Sequence, residues 1–255
     1  MALFGRKKDN YSGSSMNNTS SIGTTTSGGT TPKIRLTKAS EALDGSIIRL
    51  TKRTGVDLST HKARVFVVMD RSGSMYFNFH NGKVQDVLTR LLPLALKFDD
   101  NGELEVYVFN TKCKQMPAMN LQNYENYVKQ QILQKGYEPQ GGTCYAPVIN
   151  QTVADYNDGD PNPAFGIVIT DGENSDECET DRAVRGSSKY RNFYQFVGIG
   201  NERFRYLQKL DDLTGRAVDN TAFIKVEDFA KLTDDELYDL LLEQYPQWLK
   251  AMGIN

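Results

Sequence analysis

Val65-Phe66-Val67-Val68-Met69-Asp70-Arg71-Ser72-Gly73-Ser74-Met75 is the stretch that decides the fold. Its first five residues are apolar at every position and rich in β-branched valine, which suits a central strand covered by helices on both faces. The strand then breaks into short polar side chains. Further on, Val84, Val87, Leu88, Leu91, Leu92, Ala95 and Phe98 recur at helical spacing and predict a long helix packed on the sheet. Strand, polar loop and amphipathic helix together make the repeating unit of a parallel α/β sheet.

The same alternation continues toward the C-terminus. Asp99-Asp100-Asn101-Gly102 is a turn signal leading into a strand over 104–109, and 112–119 reads as a more polar edge strand. Apolar runs at 165–170, 193–199 and 222–226 predict three more strands, each preceded by a helical stretch. The expected fold is therefore α/β: a doubly wound, mostly parallel six-stranded sheet with helices on both faces and one antiparallel edge strand. A last helix opens with Thr233 and Glu236 at capping-box spacing and presents Leu237, Leu240, Leu241, Tyr245, Trp248 and Leu249 to the core, with Pro246 interrupting it.

Upstream, Ile34-Arg35-Leu36-Thr37-Lys38 is echoed by Ile48-Arg49-Leu50-Thr51-Lys52. The alternation suits two half-buried strands joined at Asp44-Gly45, although a helical turn over 38–43 fits as well. Residues 33–60 are read as an extension packed on a domain spanning 61–255. Residues 1–32 are dominated by Ser, Thr, Gly and Asn and are read as a disordered tail or tether, since ordering them would cost entropy that no burial offsets.

Bulk properties narrow the function. The 255 residues, 39% of them hydrophobic, suffice for one substantial domain. Thirty basic against 32 acidic residues provide no field for nucleic acid or an anionic membrane, so the basic and aromatic runs at 190–194 and 204–206 are read as packing. Cys113, Cys144 and Cys178 are widely spaced and form no CxxC pair, which argues against disulfides and thiolate zinc and for a reducing cytoplasm. No secretory signal is expected, because the apolar start is broken at once by Arg6, Lys7 and Lys8. No interior run approaches the roughly 20 apolar residues that span a bilayer.

In an open parallel sheet, loops at the carboxyl ends of strands converge on a crevice. Three such loops carry suggestive residues: Asp70-Arg71-Ser72-Gly73-Ser74, Gly141-Gly142-Thr143 and Thr170-Asp171-Gly172. Asp70, Ser72, Ser74, Thr143 and Asp171 are all oxygen donors, the chemistry of a hard divalent ion. Mg²⁺ fits best, with Ca²⁺ or Mn²⁺ as alternatives, and its unfilled position would take an Asp or Glu carboxylate from a partner. A turn capped by Asp and Ser is the competing reading of the first loop.

Val67-Val68-Met69-Asp70-Arg71-Ser72-Gly73-Ser74-Met75 resembles the signature of von Willebrand factor A (vWA) domains. Other stretches resemble the TerF-like branch of that family: Leu91-Leu92-Pro93-Leu94-Ala95, Tyr145-Ala146-Pro147-Val148-Ile149, Gln195-Phe196-Val197-Gly198-Ile199-Gly200 and Tyr245-Pro246-Gln247-Trp248-Leu249-Lys250. The resemblance implies a metal-ion-dependent adhesion site (MIDAS) with Asp70, Ser72 and Ser74 in its first ligand loop, Thr143 in its second and Asp171 in its third, some acting through water. It also implies a non-enzymatic binding module in a bacterial tellurite-resistance or stress-response system.

The acidic run Glu173, Asp176, Glu177, Glu179 and Asp181 reads as a solvated helix start, with a second cation as the sharper alternative. The 155–160 segment lacks the spacing of a calcium loop and reads as a turn. His61 and His80 have no metal-ligand neighbour, and Cys144 reads as a small buried residue. The rival function is a metal-assisted phosphohydrolase with Asp70 as nucleophile, against which stands the absence of a GxxxxGK[ST] loop. A structural component of a phage or surface assembly is a third reading.

Overall fold

The computed structural model describes residues 32–254, and the Ser/Thr/Gly-rich stretch read as a tail lies outside the described residues. The apolar run 65–69 forms the body of β1 (Arg64–Asp70). It is flanked by β2 (Glu105–Phe109) and β4 (Ala164–Thr170), both parallel to it. Beyond β4 lie β5 (Asn192–Ile199) and β6 (Thr221–Val226), again parallel. On the other side, β3 (Cys113–Gln115) closes the edge antiparallel to β2, completing six strands in the order β3-β2-β1-β4-β5-β6. The sheet is the expected one, although its polar edge is shorter than 112–119: past Gln115 only a single bridge, Leu104 to Met119, continues the pairing.

Side chains of β1 alternate between two apolar clusters, which is why the run had to be apolar throughout. Val65, Val67 and Met69 join α3 (Lys83–Phe98), α7 (Asp234–Leu242) and α8 (Tyr245–Ala251) on one face. Phe66 and Val68 join α4 (Ala146–Tyr156), α5 (Glu177–Ser187) and α6 (Arg205–Asp211) on the other. The Phe66 ring lies over its β4 neighbour Gly166, where a Cβ would come within 2.2 Å of it.

The C-terminal segment divides as its proline requires. Thr233 and Glu236 form the capping box of α7, and Pro246 occupies the first turn of α8, a position that needs no amide donor. Leu240 is only partly buried, while the other apolar residues predicted to pack are buried. Fully buried Tyr245 packs against Phe165, Phe193 and Trp248, and its hydroxyl lies 2.9 Å from Nε2 of His61.

Of the two readings of the N-terminal segment, the hairpin does not form, and the helical turn over 38–43 proves to be part of α1, a 23-residue helix over Pro32–Thr54. Alternation at its two ends was the misleading signal. Leu36, Ala39, Leu43, Ile47 and Leu50 recur at intervals of three and four, and all five are buried, with the helix packing on α3 and α7. Arg49 fastens it to α7 through Asp235 at 2.9 Å and Asp239 at 3.0 Å. Burial of the stripe decided between two periodicities that the sequence carries together.

Two outcomes follow from this packing. Gly166→Ala forces a methyl group into the Phe66 ring and is expected to destabilise by about 1–3 kcal/mol, read as a lower urea midpoint; an unchanged midpoint would refute the contact. Burial lowers the His61 pKa from 6.5 to about 4. Between those values the unfolded chain takes up a proton that the folded chain refuses. Stability is therefore complete above pH 6.5 and declines as pH falls toward 4, by up to about 3 kcal/mol. Unfolding free energies at pH 7 and 4.5 should fall further for the wild type than for His61→Gln.

Candidate metal centre

From β1 the sheet grows toward β2 on one side and toward β4 on the other, so the carboxyl ends of β1 and β4 flank the topological switch point. Asp70 is the last residue of β1, and Asp171 directly follows β4. The first loop passes through a 3₁₀ turn (Gly73–Met75) into the short helix α2 (Tyr76–His80). Thr143 enters on the segment before α4. Three chain segments that are remote in sequence thus meet at one end of the sheet.

All five predicted residues take part in one polar cluster. Asp70 has no exposed surface; its Oδ1 accepts the Ser72 amide at 2.7 Å, and its Oδ2 accepts the Thr143 hydroxyl at 3.4 Å. The Ser72 and Ser74 hydroxyls are 3.1 Å apart, and Ser74 donates to Asp171 Oδ1 at 2.6 Å. Ser72 and Thr143 are buried, Asp171 is half-buried and Ser74 is exposed. The donors therefore run from the sheet interior to solvent, leaving one side open.

Backbone hydrogen bonds stitch the loops together. The Gly73 amide donates to the Gly141 carbonyl at 3.1 Å, and Gln140 N donates to the Arg71 carbonyl at 2.7 Å. Cys144 N reaches Asn110 O at 2.9 Å, and Ser175 N reaches the Thr143 carbonyl at 3.0 Å. Gly141 has φ of +81°, so this loop needs glycine there, whereas Gly73 is not in the left-handed region and its role is the amide contact. Arg71 turns away from the cluster, donating to the Glu138 carbonyl at 3.1 Å over the Tyr137 ring.

Electrostatics favour a cation. Burial pushes the Asp70 carboxyl up to about 6 against the hydrogen bonds from Thr170 and Ser72, and nearby Asp171 adds a smaller rise. Asp171 is also raised, by burial, against its bond from Ser74. Two carboxylates that are costly to ionise beside one another are suited to a divalent ion. No group of three or more His, Cys, Asp or Glu side chains able to hold an ion occurs among the described residues. The donor set therefore consists of two carboxylates and three hydroxyls, which fits an oxygen-seeking ion that retains water or accepts an outside ligand.

Several contributors were missed in the sequence. Thr170 is fully buried and donates to Asp70 Oδ2 at 2.6 Å, a shorter bond than that from Thr143. In the sequence it reads only as the residue before Asp171, and period-two alternation at the end of β4 is the available clue. Tyr145 donates to the Gly172 carbonyl at 3.0 Å, bracing the third loop.

The acidic run does more than open its own helix. Asp176 accepts the Tyr145 and Ala146 amides at 3.0 and 2.8 Å at the start of α4, and Glu173 accepts the Arg205 amide at 2.6 Å at the start of α6. Residues 155–160 engage Arg64, whose Nη1 lies 2.8 Å from Asp158, and not a cation cluster. His80 is exposed and lies 3.0 Å from Glu138. Cys144 is half-buried, so it is not the enclosed small residue expected.

The family model of vWA domains found in the TerF C terminus matches residues 62–254. "Uncharacterized protein YcbR" of Bacillus subtilis (strain 168) is 39% identical over 191 residues, which cover 74% of this chain and 78% of that protein. Among solved structures, a von Willebrand factor type A protein from Catenulispora acidiphila superposes with a TM-score of 0.51 at 17% identity, covering 76% of this chain and 43% of its own. Proximal thread matrix protein 1 from the mussel byssus, solved with a zinc-occupied MIDAS motif, gives 0.52 at 18% identity over 73% of this chain and 48% of its own. This chain thus spans less than half the length of either protein. The SpRpn10 VWA domain gives 0.50 at 11% identity, covering 71% of this chain and 95% of that domain. At such identities the structures establish a shared fold only.

The Thr170 contact makes its own prediction. Thr170→Val leaves Asp70 Oδ2 facing a methyl group and should cost about 1–3 kcal/mol of stability, whereas Thr170→Ser should recover most of it. Equal denaturation midpoints for all three proteins would remove Thr170 from the site.

Proposed function

The chain belongs to the family of vWA domains found in the TerF C terminus, and from that premise we propose that it is a magnesium-dependent protein-binding module. Asp70, Ser72, Ser74, Thr143 and Asp171 would hold the ion. A bound Mg²⁺ supplies an electrophilic position for an outside oxygen ligand. The convergence of five oxygen donors from three separate loops, graded from buried Asp70 to exposed Ser74, carries the reading.

Charge balance indicates what the site would receive. Two carboxylates neutralise the ion and the hydroxyls add no charge, so a partner Asp or Glu finds no excess negative charge to repel it. Tyr76 and Phe77 follow the ligand loop directly, and Phe77 is 76% exposed. Large exposed aromatics beside a binding site are typical anchors of a protein interface. The phosphohydrolase reading is less well supported, because Asp70 has no exposed surface from which to attack a phosphorus atom. A place in a bacterial tellurite-resistance or stress-response system is part of this proposal and has only the family membership behind it. No helix among the described residues is long and apolar enough to cross a membrane.

Calorimetric titration should show one Mg²⁺ site per chain, with Mn²⁺ and Ca²⁺ compared alongside, and Asp70→Ala should abolish it. Capture of a host protein should require Mg²⁺ and be lost in chelator, and Phe77→Ala should weaken capture without changing ion affinity. Undiminished capture by Asp70→Ala in chelator would sink the proposal. Steady turnover of a phosphoester that Asp70→Asn abolishes would favour the hydrolase.

A further inference from the structure

A cavity of about 310 Å³ opens beside the proposed ion site, and Asp171 forms part of its wall. Its floor is the top of the α3-side core: Met69, Met75, Val84, Val87, Ile169 and Phe229. All six are at most 6% exposed, so the base of the recess is apolar. The size lies at the small end of ligand pockets and suits one bulky side chain. Two methionines in the floor make it adaptable to shape.

Charges near the mouth are matched. Lys83 lies 3.4 Å from Asp228, and Lys231 lies 3.7 Å from Glu227. Asp228 also accepts the Ala230 amide at 3.1 Å. Asp171, the third carboxylate of the wall, would be neutralised by the proposed ion, so the rim would hold no uncompensated charge to select a lysine or arginine, and the apolar floor decides what enters. Asp171 belongs to both places, so a chain segment that brought a carboxylate to the ion would have the mouth of this cavity within reach.

We infer that the cavity is a specificity pocket for an apolar side chain, such as leucine, methionine or phenylalanine, lying within two residues of the acidic side chain that the partner protein presents. The inference rests on the metal-dependent binding proposed above. It assigns separate tasks to the two places: the ion accepts any suitable carboxylate, and the pocket discriminates among the sequences that carry one. A difference of one methylene group in an apolar pocket discriminates by about 10- to 200-fold.

The test uses fluorescein-labelled hexapeptides with a central Asp and a neighbour varied among Leu, Met, Phe, Ala, Ser and Lys, titrated against the full chain by fluorescence polarisation in Mg²⁺ and in chelator. Peptides with a large apolar neighbour should bind in Mg²⁺ at least about tenfold more tightly than the Ala, Ser or Lys peptides. Ala230 is exposed at the rim, and Ala230→Trp should erase that preference while leaving the calorimetric Mg²⁺ affinity and the unfolding midpoint unchanged. Asn201→Trp narrows the cavity independently and should act the same way. Equal affinity for all the peptides, or a preference that survives both variants, overturns the pocket. If Mg²⁺ binds and apolar neighbours add nothing, the pocket alone fails. If calorimetry finds no ion binding, the metal-dependent function fails and takes the pocket with it.

Discussion

A carboxylate without solvent contact terminates the central strand, and much of the crevice is arranged around it. Burying Asp70 would be strongly unfavourable if its oxygens were left bare. The Ser72 amide and the Thr143 and Thr170 hydroxyls compensate, and each comes from a different part of the chain. That requirement ties the β1–α2 loop, the segment before α4 and the end of β4 to one point. Even so, burial outweighs the hydrogen bonds and keeps the carboxyl above its ordinary range. What the protein donors leave unsatisfied is what a divalent ion would supply.

The surrounding acidic residues are divided by task. Asp70 and Asp171 face the crevice, while Asp176 and Glu173 satisfy the amides at the starts of α4 and α6. Capping absorbs these charges locally, since helix N-termini present unpaired donors and the positive end of the dipole. The proposed ion would therefore be shared by two carboxylates in a neighbourhood that contains many more. This restraint would keep the site close to neutral with an ion bound, the condition under which a partner carboxylate would be attracted.

The helical face beneath the crevice connects the cavity to the core. α3 contributes Val84 and Val87 to the cavity floor and packs the rest of its apolar stripe against α1 and β1. Buried Arg90 joins α3 to the segment between β6 and α7, with Nε 2.6 Å from Asp234 and Nη1 2.7 Å from the Phe229 carbonyl. Phe229 and Ala230 are thereby held at the cavity by the same helix that forms its floor. Shape at the crevice is inherited from packing several residues deep.

By itself the sequence determined whatever depends on local periodicity and chemistry. The two-faced run of β1, the stripe of α3, the Thr233 capping box, the break at Pro246 and the hard-oxygen character of Asp70-x-Ser72-x-Ser74 could all be read directly. Only the tertiary structure decided that 32–54 is one helix, because alternating and helical spacings coexist there and burial against α3 and α7 selects one. It also decided that Thr170 turns inward to Asp70, that Asp176 caps a helix preceding it in sequence, and that an apolar recess adjoins Asp171. Periodicity belongs to each segment alone, whereas the partner of a polar group and the shape of a cavity depend on which segments the sheet order brings together.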